Sequence, residues 1–235
     1  MKCLYPIAEH TVHRFVMPVI RSNMYLLIHG TEALVIDPHI SEEAEALIAE
    51  AGVQECVVLL THEHFDHISG VNWLRGICSC RVICTRTCAE MIESAKKNAA
   101  SVFGALFLVG HSESEQKEIE PFLAPDYTCK ADFAYDREWQ FDWHGISVTL
   151  KEMQGHSKGS QLILLEDGFV LTGDNLVPGE KTVTRLPGGS RRILEETVQP
   201  YLRALPKSYI VYPGHGDPGY LSEGKMQCGL KMPEA

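Results

Sequence analysis

A dense cluster of metal-binding side chains lies in the stretch Thr61-His62-Glu63-His64-Phe65-Asp66-His67. It follows a predicted strand, Cys56 to Leu60. Alternate side chains of an extended chain share a face, so we expect His62, His64 and Asp66 to converge, and the turn into the next helix to bring His67 alongside. Such crowded imidazoles and carboxylates need a cation to compensate them, and they suit zinc, iron or manganese. The stretch therefore predicts a metal site at the carboxyl end of a strand.

Three further candidates lie downstream, and each is flanked by glycine. They are Gly155-His156-Ser157, Thr172-Gly173-Asp174 and Pro213-Gly214-His215. Each follows a predicted strand, and glycine allows the tight turns and close backbone approach that let a side chain enter a shared crevice. Their joint position predicts that they face the same site as the first stretch.

The order of these motifs resembles that of the metallo-β-lactamase superfamily, and most closely its glyoxalase II-like hydrolases. An early strand ends at Asp37, and the histidine-rich run, Gly-His-Ser, Thr-Gly-Asp and Pro-Gly-His follow in the family's order up to His215. The resemblance implies an α/β fold, the αβ/βα four-layer sandwich. It also implies a dinuclear metal site between the edges of the two sheets.

The resemblance further implies a particular set of metal ligands. These are His62, His64 and His156 for a first ion, Asp66, His67 and His215 for a second, and Asp174 as a bridge. Asp37 resembles the outer carboxylate that orients ligand histidines. The expected cofactors are two divalent ions, with zinc favoured and iron or manganese left open.

A site of this kind predicts hydrolysis. Two ions would hold a hydroxide between them at neutral pH, and this would attack the carbonyl of a small ester, thioester or lactone while Asp66 relays a proton. A persulfide dioxygenase with a single iron, held by residues matching His62, His156 and Asp174, is the alternative. A non-catalytic binding module on the same fold is a lesser one.

Other positions bear on the substrate. The segment Arg185 to Ser190 resembles a loop that lies beside the metal centre in glyoxalase II-like proteins. This makes Arg185 a candidate for binding a substrate carboxylate, which a guanidinium does bidentately, and Lys158 is a second basic candidate. His39 is expected to be an exposed turn residue. Residues 216–235 are too few for the helical domain that grips glutathione in full glyoxalase II enzymes, which argues against a dedicated glutathione thioester substrate.

Mixed β-meander and βα units predict one domain over residues 1–235. Ser41 and Gly52 are expected to cap a helix, and Thr87 to Ala99 and Arg191 to Leu205 to form two more. Residues 101–135 are expected to be a partly helical insertion that caps a pocket or is an inert excursion.

Composition and net charge limit the kinds of partner that the protein is expected to bind. The chain has 235 residues, is 45% hydrophobic and has a formal net charge of −10. The negative charge argues against nucleic acid as the binding partner. The sequence contains no apolar run long enough to span a bilayer and no recognisable export signal. We therefore expect a cytoplasmic protein with a small-molecule substrate, and a homo-oligomer is left open.

The chain has eight cysteines, and four of them, Cys78, Cys80, Cys84 and Cys88, fall close together. A soft-metal or redox cluster is one interpretation, since thiolates ligate zinc and iron-sulfur centres. The spacing lacks the paired C-x2-C motif of structural zinc sites. We therefore favour small buried hydrophobic residues.

Overall fold

The structure, a computed structural model, describes residues 5–108, 111–165 and 168–230. Its first sheet has six strands in chain order. They are β1 (His13–Val16), β2 (Asn23–His29), β3 (Glu32–Ile36), β4 (Glu55–Leu59), β5 (Ser79–Thr85) and β6 (Phe133–Tyr135). The first three strands pair antiparallel, and β3 to β6 pair parallel. The carboxyl ends of the parallel strands therefore lie along one edge, where α/β folds place their sites.

The second sheet also has six strands, in the order β12-β11-β10-β9-β8-β7. They are β7 (Glu138–Trp143), β8 (Ile146–Glu152), β9 (Gln161–Leu165), β10 (Phe169–Gly173), β11 (Ile210–Pro213) and β12 (Gly219–Tyr220). Only β10 and β11 pair parallel; the other pairs are antiparallel. These two parallel strands bring Gly173 and Pro213, and hence the residues after them, side by side.

Helices lie outside both sheets. They are α1 (Glu42–Ala51), α2 (Phe65–Ile68), α3 (Val71–Arg75), α4 (Arg86–Ile92), α5 (Ala100–Leu108), α6 (Glu113–Ile119), α7 (Arg191–Ile193), α8 (Gln199–Ala204) and α9 (Gly224–Gly229). A 3₁₀ turn covers Glu120–Phe122, and a π-helical turn, Leu194–Val198, joins α7 to α8. None of the helices in the described ranges has the length and apolarity needed to cross a bilayer.

Three apolar layers hold these elements together. On β3, Leu34 and Ile36 pack between the two sheets, whereas Ala33 and Val35 pack toward the helices α1, α3 and α4. Because both faces are covered, the strand is a continuous apolar run rather than an alternating one. A third core joins the second sheet to the helices that follow it. The predicted αβ/βα four-layer sandwich is confirmed.

Some element boundaries differ from the sequence predictions. Ser41 and Gly52 cap α1 as expected, and Gly52 has a φ of 67°. The helix predicted over Thr87 to Ala99 is wrong in length, because α4 ends at Ile92. The helix predicted over Arg191 to Leu205 is interrupted by the π-helical turn.

The stretch 101–135 is partly helical, as predicted, but its last three residues are not an insertion. They form β6 and pair with β5. In the helical part, Phe103 and Ile119 pack with Met17 and with Phe65, whose ring lies within the histidine-rich run. The segment is therefore packed against the elements that carry the candidate site.

Candidate metal centre

The candidate site lies where the ends of the two sheets meet. Thr61, just after β4, accepts a backbone hydrogen bond from Gln161 at the start of β9, 2.9 Å long. On the other side, the side chains of Asn23 and Tyr25 donate to the carbonyl of Pro213, at 2.9 and 2.7 Å. These bonds join the end of β4 to β9 and the end of β11 to β2, and so hold the ends of the two sheets together.

A first group of ligand atoms comes from His62, His64 and His156. One ring nitrogen of each lies within 4.8 Å of the other two, and all three side chains are buried. His64 Nδ1 is 2.8 Å from His156 Nε2. Two imidazole nitrogens at this distance share either a proton or a cation.

A second group consists of Asp66, His67 and His215, whose ligand atoms also lie within 4.8 Å of one another. Asp66 Oδ2 is 3.3 Å from His67 Nε2 and 3.2 Å from His215 Nε2. Asp66 and His67 reach the site from the first turn of α2, not from an extended chain. Asp66 lies in the same centre as His62 and His64, as expected, but it reaches the centre from a helical turn rather than by strand alternation, and it belongs to the second group.

Asp174 lies between the two groups. Its Oδ1 is 3.5 Å from His67 Nε2, and its Oδ2 is 3.5 Å from His215 Nε2 and 3.6 Å from His156 Nε2. One carboxylate therefore faces imidazoles of both groups. This is the position that a ligand shared by two ions would take.

Several polar atoms that face this site are buried and have no hydrogen-bond partner. They are Nε2 of His62 and His67, and Oδ1 of Asp174. Leaving a buried polar atom unpaired costs about 1–3 kcal/mol, so three in one place call for a ligand. Imidazole nitrogens and carboxylate oxygens are donors that divalent zinc, iron or manganese accept. The residues present therefore fit a metal centre.

Asp37 orients two of these imidazoles. Its carboxylate accepts from the Thr61 backbone N–H at 2.7 Å, the Thr61 hydroxyl at 2.5 Å and His67 Nδ1 at 2.9 Å. Because the Thr61 hydroxyl donates to Asp37, its oxygen is left to accept from His62 Nδ1, 3.0 Å away. Both imidazoles then carry their proton on Nδ1 and point a lone pair on Nε2 into the site.

The electrostatics favour neutral imidazoles in the first group. Burial lowers the pKa of His64 to about 3 and holds the pKa of His62 well below its usual value. In the second group burial acts the same way on His67, but the carboxylates of Asp66 and Asp174 outweigh it and raise the His67 pKa well above its usual value. The centre therefore favours positive charge between its carboxylates.

Glu63 has a structural role that the sequence pattern does not predict. Its buried carboxylate Oε2 accepts from the Ser157 hydroxyl at 2.7 Å and from the Gly159 N–H at 3.1 Å, and burial raises its pKa to about 6. The bonds tie the His62–His64 segment to the loop that carries His156. The signal was present in the sequence as a carboxylate between two histidines, but its partners are more than 90 residues away.

Glycines allow the close packing of the loops. A Cβ on Gly214 would overlap Oδ1 of Asp174 and lie 2.9 Å from Cε1 of His67. Gly173 has a φ of 48°, and a Cβ there would lie 2.7 Å from Cβ of Thr61. Glycine is therefore required beside Asp174 and His215 for steric reasons.

The two basic candidates are exposed. Lys158 follows the His156 loop, and Arg185 begins a loop whose Gly188 and Gly189 approach Lys158 and the carbonyl of His156. Both lie on segments beside the centre, and their substrate role stays a prediction. His39 is not an exposed turn residue as predicted: it is 1% exposed, and its ring nitrogens lie 3.1 and 3.3 Å from the carbonyls of Ile40 and Phe15.

Comparisons with known proteins identify the family of the chain. The family model of the metallo-beta-lactamase superfamily matches residues 17–215. The chain is 27% identical over 204 residues to the "Probable metallo-hydrolase YqgX" of Bacillus subtilis (strain 168), with 85% of this chain and 88% of that protein covered. It is 25% identical over 200 residues to a "Hydroxyacylglutathione hydrolase" of Aeromonas hydrophila subsp. hydrophila, with 85% and 63% covered.

Solved structures share the fold. A crystal structure of the BLEG-1 B3 metallo-beta-lactamase superposes with a TM-score of 0.74 at 24% identity, covering 90% of this chain and 94% of the other. TTHA1623, crystallised in a di-iron-bound form, gives a TM-score of 0.67 at 24% identity, covering 90% and 96%. The family model and the metallo-hydrolase relatives together show a metal-dependent hydrolase. Because the family model matches most of the length of the chain, the chain belongs to the metallo-beta-lactamase superfamily.

Proposed function

We propose that the protein is a binuclear metal-dependent hydrolase of small esters, thioesters or lactones. The observation that carries the proposal is the pair of ligand groups with Asp174 between them. In this assignment His62, His64 and His156 hold one ion, and Asp66, His67 and His215 hold the other. Three protein ligands per ion plus one shared carboxylate leave room for substrate, as in catalytic rather than structural sites.

Two ions held by these residues would activate water for attack and polarise the substrate carbonyl, with zinc the favoured metal. The protein's own groups perform the remaining tasks. Asp37 keeps the proton of His67 on Nδ1, and through Thr61 that of His62 as well, so that both Nε2 atoms stay free. Asp66, whose carboxylate lies beside His67 and His215, would accept and pass on the proton of the attacking water.

The substrate is proposed to be a small molecule. The exposed side chains of Lys158 and Arg185 lie on the loops beside the centre, where they would attract an anionic group. The names of relatives, a metallo-hydrolase and a hydroxyacylglutathione hydrolase, support carbonyl hydrolysis as the reaction class. Esters, thioesters and lactones of hydroxy acids are therefore the first compounds to screen.

The test is metal content together with hydrolysis. We expect about two ions per chain by mass spectrometry in the protein purified without added metal. His64→Ala should lower this content and reduce hydrolysis by at least about 100-fold, since even loss of an outer partner of a ligand costs about 10–100-fold. His144→Ala, at an exposed histidine paired with Glu32, is the matched control and should change neither.

Two outcomes would contradict the proposal. Full hydrolytic activity in His64→Ala would remove that histidine from the centre. About one iron and no zinc per chain, with no hydrolysis, would instead favour the mononuclear persulfide dioxygenase. An oxygen-consumption assay with a persulfide would then identify that alternative.

A further inference from the structure

Three cysteines come together at the end of the first sheet opposite the metal centre. Cys56 lies in β4 and is the register partner of Cys80 in β5, while Cys78 immediately precedes β5. From Cys56 to Leu60 the strand alone covers about 13 Å, because each residue advances about 3.3 Å. The cysteines are therefore separate from the histidine-aspartate centre, which begins after Leu60.

Their sulfur atoms are close to one another. Sγ of Cys78 is 3.0 Å from Sγ of Cys56 and 3.8 Å from Sγ of Cys80, and all three lie within 4.8 Å. Cys56 is buried, whereas Cys78 and Cys80 are half-buried at the edge of the core. Cys78 and Cys80 therefore border solvent, and Cys56 lies behind them.

This grouping differs from the one suggested by the sequence. Cys84 and Cys88 are fully buried in the core between the first sheet and its helices, as expected of small hydrophobic residues. Cys78 and Cys80 instead join Cys56, which is 22 residues before Cys78. The four cysteines therefore fall into two separate sets. Cys84 and Cys88 lie in the core, whereas Cys78 and Cys80 border solvent.

We propose that Cys56, Cys78 and Cys80 form a second metal site, which binds one soft closed-shell cation such as Zn²⁺ through three thiolate sulfurs. Thiolate ligands select soft cations over the hard ions that carboxylates prefer. Tetrahedral zinc with Zn–S bonds of about 2.3 Å separates its sulfurs by about 3.8 Å. The Cys78–Cys80 distance of 3.8 Å already has this value, and the Cys56–Cys78 distance of 3.0 Å would widen by about 0.8 Å.

The ionisation of Cys78 also favours metal binding at this cluster. The contacts with Cys56 and Cys80 lower the pKa of the Cys78 thiol to about 4, whereas the contact with Cys78 raises the pKa of the other two thiols. One sulfur of the three therefore already favours the thiolate form, the form that binds metals. Binding displaces the remaining thiol protons to solvent, forms three metal–sulfur bonds and changes no oxidation state. The fourth position is left to water.

The experiment titrates the reduced, full-length, zinc-loaded protein with Cd²⁺, a softer cation that displaces Zn²⁺ from thiolate ligands and serves as its spectroscopic substitute. A cadmium–thiolate charge-transfer band in the ultraviolet reports sulfur ligation, and Cd²⁺ bound at the histidine-aspartate centre does not produce one. We expect the band to saturate at one Cd²⁺ per chain. Cys78→Ala should weaken this binding by more than about 100-fold, since a lost ligand costs more than a lost outer partner. Cys84→Ala, four residues beyond Cys80 on the same strand, should leave it unchanged.

A second measurement requires no variant. Cd²⁺ should slow the alkylation of Cys78 and Cys80 by iodoacetamide in the wild-type protein, as followed by peptide mass spectrometry. A band of equal intensity in Cys78→Ala, or no band in the fully reduced wild type, would overturn the proposal. A third outcome would also overturn it: a Cys56–Cys78 disulfide in protein purified without reductant, and no band after reduction. That result would indicate a redox pair instead of a metal site.

Discussion

At the scale of single residues, Asp37 shows how one carboxylate can orient a centre that it does not enter. It lies at a φ of 52°, in the left-handed region that few residues other than glycine adopt. This backbone conformation is held where the carboxylate accepts three hydrogen bonds, two from Thr61 and one from His67. Strain of this kind persists where the surrounding contacts over-determine it, as they do here.

The first prediction concerns Asp37→Asn, which keeps the shape of the side chain and removes its charge. The three groups around it are all donors, so the amide nitrogen would face a donor and one bond would be lost. We expect the affinity for metal to fall by about 10–100-fold with the fold retained. The measurement is the metal kept per chain during competition with a chelator.

Asp136→Asn is the control for this change. Asp136 forms an ion pair with Arg86 in which both side chains are more than half exposed, so its loss should leave metal affinity unaltered. Wild-type metal retention in Asp37→Asn would show that the imidazoles do not depend on this carboxylate for their orientation.

At the scale of elements, the sequence located the parts whose signals are local. Ser41 and Gly52 mark the two ends of α1, because a capping side chain and a left-handed glycine act within one turn. The strand before the histidine-rich run was located within one residue. The ligand motifs themselves were readable because each is a short run next to a glycine or another ligand.

Elements and contacts that depend on distant residues could not be predicted. β7 was missed because it is an edge strand with mostly exposed side chains, so it lacks an apolar pattern. β6 has three residues, which are too few to show an alternating apolar pattern. Cys56 lies within a predicted strand, and only the folded sheet places it beside Cys78.

The loop after β11 carries the second prediction, Gly214→Ala. The added methyl group would overlap Asp174 and press on His67, and neither can move without leaving its position in the centre. We expect metal content to fall and hydrolysis to drop by at least about 10-fold, with circular dichroism unchanged, since displacement of about 1 Å costs about 100-fold in well-ordered sites. Gly224→Ala, where a Cβ has open space, is the control. Normal metal content in Gly214→Ala would show that the loop can adjust.

A third prediction tests the connection between the loops of His62–His64 and His156. Glu63→Ala removes the acceptor of the Ser157 hydroxyl and the Gly159 N–H, so the buried N–H loses its partner while the hydroxyl keeps only Ser160. We expect the free energy of unfolding to fall by about 1–3 kcal/mol, mainly for the unpaired N–H. Glu63→Gln keeps an acceptor oxygen in the same position and should lose less. Equal losses in the two variants, measured by urea denaturation, would count against these hydrogen bonds as the cause.

At the scale of the whole molecule, the metal centre connects the two sheets. His62, His64, Asp66 and His67 follow β4 of the first sheet, whereas the remaining candidate ligands come from the second. The apolar layer between the sheets holds them face to face, but the centre is where their ends meet. Bound metal would therefore stabilise the contact between the two halves as well as serve hydrolysis.

The last prediction follows from this arrangement: removal of metal should lower the thermal stability of the protein. A ligand present at about 100 times its Kd stabilises the folded state by about 2.7 kcal/mol per site, and for a chain of this size each kcal/mol shifts Tm by about 2–4 °C. Chelation should therefore lower Tm by about 5–10 °C per site, and added zinc should restore it. His64→Ala, which lacks a ligand of one proposed ion, should show a smaller drop. If the wild-type Tm is the same with and without chelator, the centre does not couple the two sheets in the way the geometry indicates.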